Sequence, residues 1–266
     1  MAVVALLTDF GLSDPYVGEM KAVILRFAPT AVVVDVTHGI SPGGVREAAW
    51  VLCKTWSQFP PGTCHVAVVD PGVGSDRRAL AATAGGHFFV GPDNGLLAAA
   101  LDAAGSGEIR EITTREIEHR RRGTTFDGRD VFAPVAARLV TGFPAAQLGP
   151  EVHDPVTLPS FAPRAVEGGG WETEVVRRDR FGNVILAVEE AFLRSTWGEA
   201  WRDLGVRVAS TSIRGVRLAY EEVEAGEPLV SIGGAGTLEI SVRSGSAAKK
   251  LGLKAGDRVR LDPPEG

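Results

Sequence analysis

Residues 3–11 read VVALLTDFG, an apolar run that ends abruptly in the polar pair Thr8–Asp9. A short, continuous apolar run of this kind is typical of a strand that is buried on both faces of a parallel sheet. The pattern recurs along the first half of the chain, with helical periodicity between the recurrences. The predicted strands are Val3–Leu7, Ala31–Val36 and His65–Val69, and the predicted helices are Tyr16–Phe27, Val45–Phe59, Leu96–Ala104 and Asp130–Val140. The alternation predicts an α/β domain with a mostly parallel sheet and helices on both faces.

Aspartates stand at the carboxyl ends of the three predicted strands, at positions 9, 35 and 70. Ligands of open α/β sheets bind outside those strand ends, so one interpretation is a ligand site built around these carboxylates. The other interpretation is that each aspartate caps the helix or turn that follows it.

The second half of the chain has a different pattern. Prolines and the run Gly168–Gly170 interrupt residues 145–170, which predicts a linker. Short strand-like runs follow, and they favour a small all-β barrel or sandwich. The predicted strands are Glu172–Val176, Val184–Val188, Val206–Ala209, Leu229–Ile232, Leu238–Val242 and Arg258–Leu261, with one helix at Glu189–Ser195. We therefore predict an α/β domain at residues 1–155 and a β-barrel-like domain at residues 156–266.

Composition excludes several classes of function. The 266 residues carry a formal net charge of -5, which argues against a broad nucleic-acid surface. The basic run Arg120–Arg122 is interpreted as a solvated loop. No segment approaches the ~20 apolar residues of a membrane helix. Cys53 and Cys64 lack zinc or redox spacing and are interpreted as packing residues in a reduced, cytoplasmic compartment.

Motifs for common cofactors are absent from the sequence. Residues 72–77 (GVGSDR) lack the third glycine of the dinucleotide fingerprint, and no Gly-Lys-Ser/Thr phosphate loop occurs. No His, Cys or carboxylate cluster has the spacing of a metal site. We therefore expect neither a metal nor a cofactor.

Five dense loops carry the remaining signal. Asp-Asn-Gly alone is a common turn, but the five loops in this order, in an α/β-then-β chain, are much more specific. They are TDFG at 8–11, DPGVG at 70–74 followed by Arg77–Arg78, GPDNG at 91–95, TFDGRD at 125–130 and DRFGN at 179–183.

With these loops, and with DVTHGISP at 35–42, GTLEIS at 236–241 and AAKKLGLKAGD at 247–257, the chain resembles the S-adenosylmethionine hydroxide adenosyltransferase family nearly end to end. The family is related to the fluorinating and chlorinating adenosyltransferases. The resemblance implies an N-terminal α/β domain, a C-terminal β-barrel and a homotrimer with active sites between subunits. It also implies that water attacks S-adenosyl-L-methionine at the C5′–sulfonium bond and releases adenosine and methionine.

The family's catalytic Asp, Arg and His correspond to Asp70, Arg77 and Asp127, so the chain departs from the family at position 127. The sulfonium departs as a neutral thioether, and the protein must hold water in line behind C5′ and accept its proton. A carboxylate can do both, and a neighbouring Arg orients it. A carboxylate at 127 would bracket Arg77 or share a proton with Asp70. The alternatives are that Asp127 caps the following helix, or that the three residues form a purely structural ion network.

The resemblance also assigns substrate contacts. Asp9 corresponds to the residue that binds both ribose hydroxyls, and Phe126 and Phe181 would pack against ribose and adenine. Asn183 would meet the adenine edge, because an amide both donates and accepts. Asp179 would pair with the methionine ammonium.

Three further positions complete the predicted site. Gly128 stands where the halogenating relatives carry a hydroxyl residue near the halide, which favours water as the nucleophile. Gly234–Ala235 replace a Ser-Arg pair that holds the methionine carboxylate, so backbone N–H groups or another side chain must bind it. Asn94, in the GPDNG loop, is included among the substrate-binding residues.

Three other functions remain open from the sequence. A substitution at position 127 is compatible with a non-catalytic protein that binds adenosine or S-adenosylmethionine. A halide-using transferase is disfavoured by Gly128 and by the Asp70/Arg77 pair. The segment 247–257 also has the helix–turn–strand pattern of peptide-binding PDZ domains, without their upstream carboxylate-binding loop.

Overall fold

A computed structural model describes residues 2–105, 107–113, 123–208 and 211–265. It divides into two compact units, Met1–Leu158 and Pro159–Gly266. The basic run Arg120–Arg122 lies outside the described residues, as does Ala209, the last residue of a predicted strand.

The first unit is built on one sheet whose strand order is β2-β1-β3-β5-β4-β6. Its strands are β1 (Val3–Thr8), β2 (Val32–Thr37), β3 (Cys64–Val68), β4 (Ala79–Ala84), β5 (His87–Pro92) and β6 (Gly107–Glu111). The pairs β1–β2, β1–β3 and β3–β5 are parallel, whereas β4 runs antiparallel to both of its neighbours. The predicted mostly parallel sheet is confirmed.

Helices cover both faces of this sheet, also as predicted. They are α1 (Tyr16–Phe27), α2 (Val45–Thr55), α3 (Ala98–Ala103) and α4 (Ala133–Val140). Side chains of α1 and α4 pack with Val4, Leu6 and Val66 in one core, while α2 and α3 pack with Leu7 and Ala67 in another. Successive residues of β1 and β3 thus point to opposite cores, which explains why most residues of these strands are apolar.

Helix boundaries follow local chemistry. Helix α1 ends at Phe27 because Pro29 disfavours helical backbone at Ala28. The helix predicted to reach Phe59 ends at Thr55, and a short 3₁₀ turn continues to Gln58. The helix predicted from Asp130 begins earlier, as a π-helix over Gly128–Phe132 that leads into α4.

The second unit is an antiparallel-rich sheet that nearly closes on itself. Its path is β11-β10-β15-β8-β9-β14-β13-β12, with β7 paired to β8. The bounds are β7 (Arg164–Val166), β8 (Gly170–Arg178), β9 (Val184–Glu189), β10 (Gly205–Val208), β11 (Thr211–Arg214), β12 (Val216–Arg217), β13 (Pro228–Ile232), β14 (Thr237–Val242) and β15 (Arg258–Asp262), with helices α5 (Glu190–Trp197) and α6 (Ala247–Leu251). Only Gly215 separates β11 from β12, so the two ends of the path meet. The predicted barrel-like domain is confirmed.

No helix within the described ranges combines the length and the apolar character that crossing a membrane requires.

A buried histidine pair lies at the start of β3 and β5. His65 Nε2 is 3.2 Å from His87 Nδ1, and both residues are buried. His65 stacks on Phe89 and meets the Phe59 ring edge-on. Burial, reinforced by the charge of His87, lowers the pKa of His65 to about 3, and burial also lowers the pKa of His87. Both imidazoles are therefore neutral in the folded protein at neutral pH.

The neutral histidine pair predicts that the protein loses stability at a pH above the range in which its carboxylates take up protons. The unfolded chain binds protons at histidine near pH 6.5 and the folded chain does not, so stability is full above pH 6.5 and falls below it. We expect a loss of about 2 kcal/mol from His65 alone between pH 7 and pH 5, measured by urea unfolding. His65→Leu should flatten this slope, whereas a His153→Leu control, at a side chain that is 80% exposed, should not. A slope that is unchanged in His65→Leu would contradict the assignment.

Candidate active site

The carboxyl ends of β1 and β3 form one edge of the parallel sheet, and a pocket of about 240 Å³ opens there. Asp9 directly follows β1, and Asp70 lies two residues beyond β3. The pocket is lined by Asp9, Phe10, Gly43, Val68, Asp70, Pro71, Val73, Thr125, Phe126, Asp127 and Gly128. Five residues predicted for the site, Asp9, Asp70, Phe126, Asp127 and Gly128, are therefore brought together.

A single guanidinium joins two carboxylates in this pocket. Arg77 Nε donates to both oxygens of Asp70, at 3.0 and 2.9 Å, and Arg77 Nη2 donates to Asp70 Oδ2. The same Nη2 donates to Asp127 Oδ2 at 2.6 Å. The side chains of Asp70, Arg77 and Asp127 are 5%, 11% and 10% exposed, so solvent screens the cluster poorly.

The charge balance of this cluster is unequal. Burial alone would lower the pKa of Arg77, but the hydrogen bonds and charges of Asp70 and Asp127 raise it above its ordinary value. Arg77 therefore stays protonated, and with both carboxylates ionised the cluster carries one net negative charge.

Asp127 does not cap a helix with its side chain. It stands at the N-cap of the π-helix, where no side-chain capping bond forms, and its carboxylate turns to Arg77 instead. Asp9, Asp35 and Asp70 likewise bond to groups elsewhere in the chain: Gly43 N, Lys21 Nζ and Arg77. The capping interpretation is thus wrong for Asp127. Asp35, predicted at the end of its strand, lies within β2 (Val32–Thr37).

Aromatic rings form one wall of the pocket. The Phe126 ring lies edge-on to Phe10 and Tyr16, with centroids 5.9 and 5.3 Å away. The Arg129 guanidinium lies 4.8 Å from the Phe126 centroid and is itself paired with Asp130 and Glu19. The ring is therefore fixed from several sides.

Gly128 allows this wall to pack. A Cβ at position 128 would lie 3.2 Å from Met20 Sδ and 3.3 Å from Phe126 Cε2, which is tighter than ordinary contact. A larger residue here would displace the Phe126 ring or the methionine.

Asn94 is not among the residues that line the pocket, but it holds the backbone next to Asp70 in place. Its amide Nδ2 donates to the carbonyl of Val69 at 2.9 Å, and its Oδ1 accepts from Leu96 N. Asn94 thereby anchors the residue that precedes Asp70.

Three of the four residues predicted in the second unit, Asp179, Phe181 and Asn183, lie at the β8–β9 turn. Asp179 Oδ1 accepts from Asn183 N at 2.8 Å, and its Oδ2 accepts from Asn183 Nδ2 at 2.9 Å. Gly182 has φ +89°, and a Cβ there would collide with Ser246 Oγ at 2.1 Å, so only glycine fits. The turn presents Phe181, which is 79% exposed.

A polar cluster that the sequence did not reveal adjoins this turn. Tyr220 accepts from Asn183 Nδ2 at 3.4 Å and donates to Glu239 Oε1 at 3.0 Å, and Ser231 also donates to Glu239. Burial and the Glu239 carboxylate raise the pKa of Tyr220. Gly234 lies in the exposed turn between β13 and β14, beside this cluster.

In the first unit, sequence reasoning missed Phe10, Tyr16 and Gly43. Phe10 follows Asp9 directly, so its position after a strand end was an available signal. Gly43 contributes a backbone N–H, for which a sequence has no side-chain signature. Within the described ranges, no group of three or more His, Cys, Asp or Glu side chains is arranged to hold a metal ion.

Comparison with known proteins gives consistent matches. Residues 4–149 match the model of the SAM hydroxide adenosyltransferase N-terminal domain, and residues 173–260 match that of the C-terminal domain. The chain is 43% identical to the (R)-S-adenosyl-L-methionine hydrolase of Salinispora arenicola, over 96% of this chain and 95% of that protein. It is also 43% identical to the enzyme of the same name from Thermus thermophilus, over 98% and 100%. A conserved protein of Thermotoga maritima has a similar crystal structure, with TM-score 0.88, 37% identity and coverage of 97% and 99%.

The shared guanidinium predicts a large stability effect. Arg77→Met should lower the unfolding free energy by about 3 kcal/mol at pH 7, because it leaves two neighbouring carboxylates buried without a cation. Adding Asp127→Asn should restore part of the stability at pH 7.

Urea unfolding at pH 7 measures these differences. Arg207→Met is the matched control, because Arg207 pairs with Asp262 and is 54% exposed, so it should cost less than about 1 kcal/mol. Equal losses in Arg77→Met and Arg207→Met would contradict the description of Arg77 as the cluster's cation.

Proposed function

The chain belongs to the SAM hydroxide adenosyltransferase family, and we propose that it hydrolyses S-adenosyl-L-methionine at the bond between ribose C5′ and the sulfonium sulfur. The observation that carries the proposal is the Asp70–Arg77–Asp127 cluster in a pocket that Asp9 and Phe126 also line. Because similar proteins are named for the (R)-epimer, we further propose that the (R)-sulfonium is the preferred substrate.

The proposed reaction needs an aligned water and a proton acceptor. Water attacks C5′, the C5′–sulfur bond breaks, and its electron pair leaves with methionine as a neutral thioether. The attacking water loses a proton to Asp70, which Arg77 holds in one orientation. The products are adenosine, methionine and one proton. No cofactor is required, since the sulfonium is itself an activated leaving group.

Ribose recognition is assigned to Asp9. Gly43 N donates to Asp9 Oδ2 at 2.8 Å and so fixes the carboxylate in the pocket. A carboxylate held in this way suits two adjacent hydroxyl donors. The Phe126 ring supplies the apolar surface that would pack against the sugar.

Pocket charge favours a cationic substrate and a neutral nucleophile. Asp9, Asp70 and Asp127 line the pocket, and Arg77 is the cation that bridges two of them. The surplus negative charge attracts a sulfonium and repels a halide ion. Water is therefore the nucleophile that this pocket supports, in agreement with Gly128.

The second candidate is a non-catalytic protein that binds adenosine or S-adenosylmethionine. The ribose and ring contacts would serve it equally well. The carboxylate pair on Arg77 favours the enzyme over a protein that binds only adenosine, because a neutral nucleoside gains nothing from two buried charges.

The decisive experiment incubates (R)- and (S)-S-adenosylmethionine separately with pure protein in ¹⁸O-water. We expect adenosine with label in its 5′-hydroxyl, formed faster from the (R)-epimer. Asp70→Asn should reduce turnover by about 10²–10⁴-fold and still bind adenosine, because the amide keeps the shape and loses the proton acceptor. Adenosine binding without any release of methionine would favour the non-catalytic alternative.

We also propose a homotrimer in which each site is completed by a neighbouring subunit, as the family resemblance implies. A pocket of about 240 Å³ is smaller than most sites for ligands of this size. The exposed Phe181, with Asp179, Asn183 and the turn at Gly234, would supply the missing adenine and methionine contacts. We further propose a reducing, cytoplasmic compartment, as the spacing of Cys53 and Cys64 in the sequence suggests.

Mixing two inactive variants tests the shared site. Asp70→Asn and Asn183→Ala subunits should each be nearly inactive alone. After subunit exchange at equal concentrations, about a quarter of the sites should contain both intact residues, so activity should return to that fraction. A mixture that stays inactive while native mass spectrometry of differently tagged variants shows mixed oligomers would refute sites shared between subunits.

A further inference from the structure

A buried histidine beside the pocket has no part in the proposed reaction. His38 belongs to the DVTHGISP segment and is 5% exposed. Its Nδ1 lies 2.8 Å from Thr8 Oγ1, and Thr8 is fully buried at the end of β1. Its Nε2 lies 3.0 Å from Asp35 Oδ1, a close electrostatic contact rather than an aligned hydrogen bond. Asp35 Oδ2 in turn accepts from Lys21 Nζ at 2.7 Å.

These contacts favour one tautomer of His38. A proton on Nε2 faces the Asp35 carboxylate, whereas a lone pair there would be repelled by it. Nδ1 is then an acceptor, and the Thr8 hydroxyl donates to it. Thr8 Oγ1 also accepts from Phe10 N at 3.2 Å. The relay therefore runs in one direction, from Phe10 N–H through Thr8 to His38 and Asp35.

His38 and Gly43 together contact the loop that contains Asp9 through three hydrogen bonds. The first is the Thr8–His38 hydrogen bond. The second is the bond from Gly11 N to the His38 carbonyl, at 2.8 Å. The third is the bond from Gly43 N to Asp9 Oδ2. Together they fix Thr8 before Asp9, Gly11 after it, and the Asp9 carboxylate itself.

The relay ends at Asp35, whose negative charge is stabilised by Lys21. Burial tends to raise the pKa of Asp35, but its contacts with Lys21 and His38 outweigh this and lower it. Asp35 thus remains an anion that orients His38, and Lys21 ties it to α1.

We propose that His38 is a positioning residue which, through Thr8, fixes Asp9 in the orientation that binds the substrate's ribose. The inference rests on the assignment of Asp9 to the ribose. The proposal gives a role to the DVTHG segment at residues 35–39. In the reaction described above, none of these residues takes part, and only the nearby Gly43 N–H contacts Asp9.

The test uses adenosine, which is not consumed, and 2′,3′-dideoxyadenosine, which lacks the ribose diol. Thr8→Val keeps the volume of the side chain but neither donates to His38 nor accepts from Phe10. It should weaken adenosine binding about 5- to 20-fold in calorimetry and leave dideoxyadenosine binding unchanged. His38→Leu should behave like Thr8→Val. Thr8→Ser and His38→Asn, which keep the hydrogen bond between the two positions, should retain most of the affinity.

Thr55→Val is the matched control. Thr55 donates to Val51 O at 2.8 Å within α2, away from the pocket, so its loss should leave adenosine binding unchanged. In combination with Asp9→Ala, Thr8→Val should cause little further loss, because the relay acts through Asp9.

Three distinguishable outcomes would overturn the proposal. If Asp9→Ala weakens adenosine binding while Thr8→Val and His38→Leu do not, the relay fails and the ribose assignment stands. If Asp9→Ala has no effect, both fail together. Equal losses for the two ligands in Thr8→Val would show general distortion, which also contradicts positioning through Asp9.

Discussion

Parallel pairing of strands that are buried on both faces is the constraint on which this site depends. Register places Thr8 of β1 opposite Val68 of β3, so the first polar residues after each strand emerge at the same edge of the sheet. Asp9 and Asp70 meet there although 61 residues separate them in the chain, by their numbering. Neither carboxylate could lie within the strands themselves, because both faces of the sheet are covered by apolar helices.

Once two carboxylates share a poorly solvated pocket, a cation must accompany them. Arg77 meets this need with a planar fork that binds Asp70 through two nitrogens and extends one of them to Asp127. A lysine would offer one point charge and no fixed plane. The rigidity that stabilises the cluster is also what a proton acceptor requires, since its orientation is set before the substrate arrives.

The sequence predicted the features that depend on local pattern. The apolar runs that end in Asp9 and Asp70 placed the site at the sheet edge, and the helical spacing of Tyr16–Phe27 was confirmed to the residue. It missed β4, because ALAATA at 79–84 is rich in alanine and becomes a strand only between β5 and β6. The turn of Asp127 toward Arg77 spans 50 residues, and no periodicity records such a contact. Glu239 was missed since a lone charge in a strand is expected to face solvent.

Asp127 stands where the family resemblance implies a histidine, and its carboxylate accepts a hydrogen bond from Arg77. In the proposed reaction, a neutral imidazole at this position would leave Asp70 and Arg77 as a balanced pair, whereas the carboxylate would leave one negative charge of the cluster uncompensated. That charge strengthens the attraction of the pocket for a sulfonium in the ground state. The attraction weakens as the C5′–sulfur bond breaks, because the sulfur becomes neutral. Ground-state attraction alone does not speed the chemical step. The Asp127 carboxylate therefore speeds the reaction only if it also stabilises the positive charge that develops on the attacking water. That stabilisation grows as the C–O bond forms.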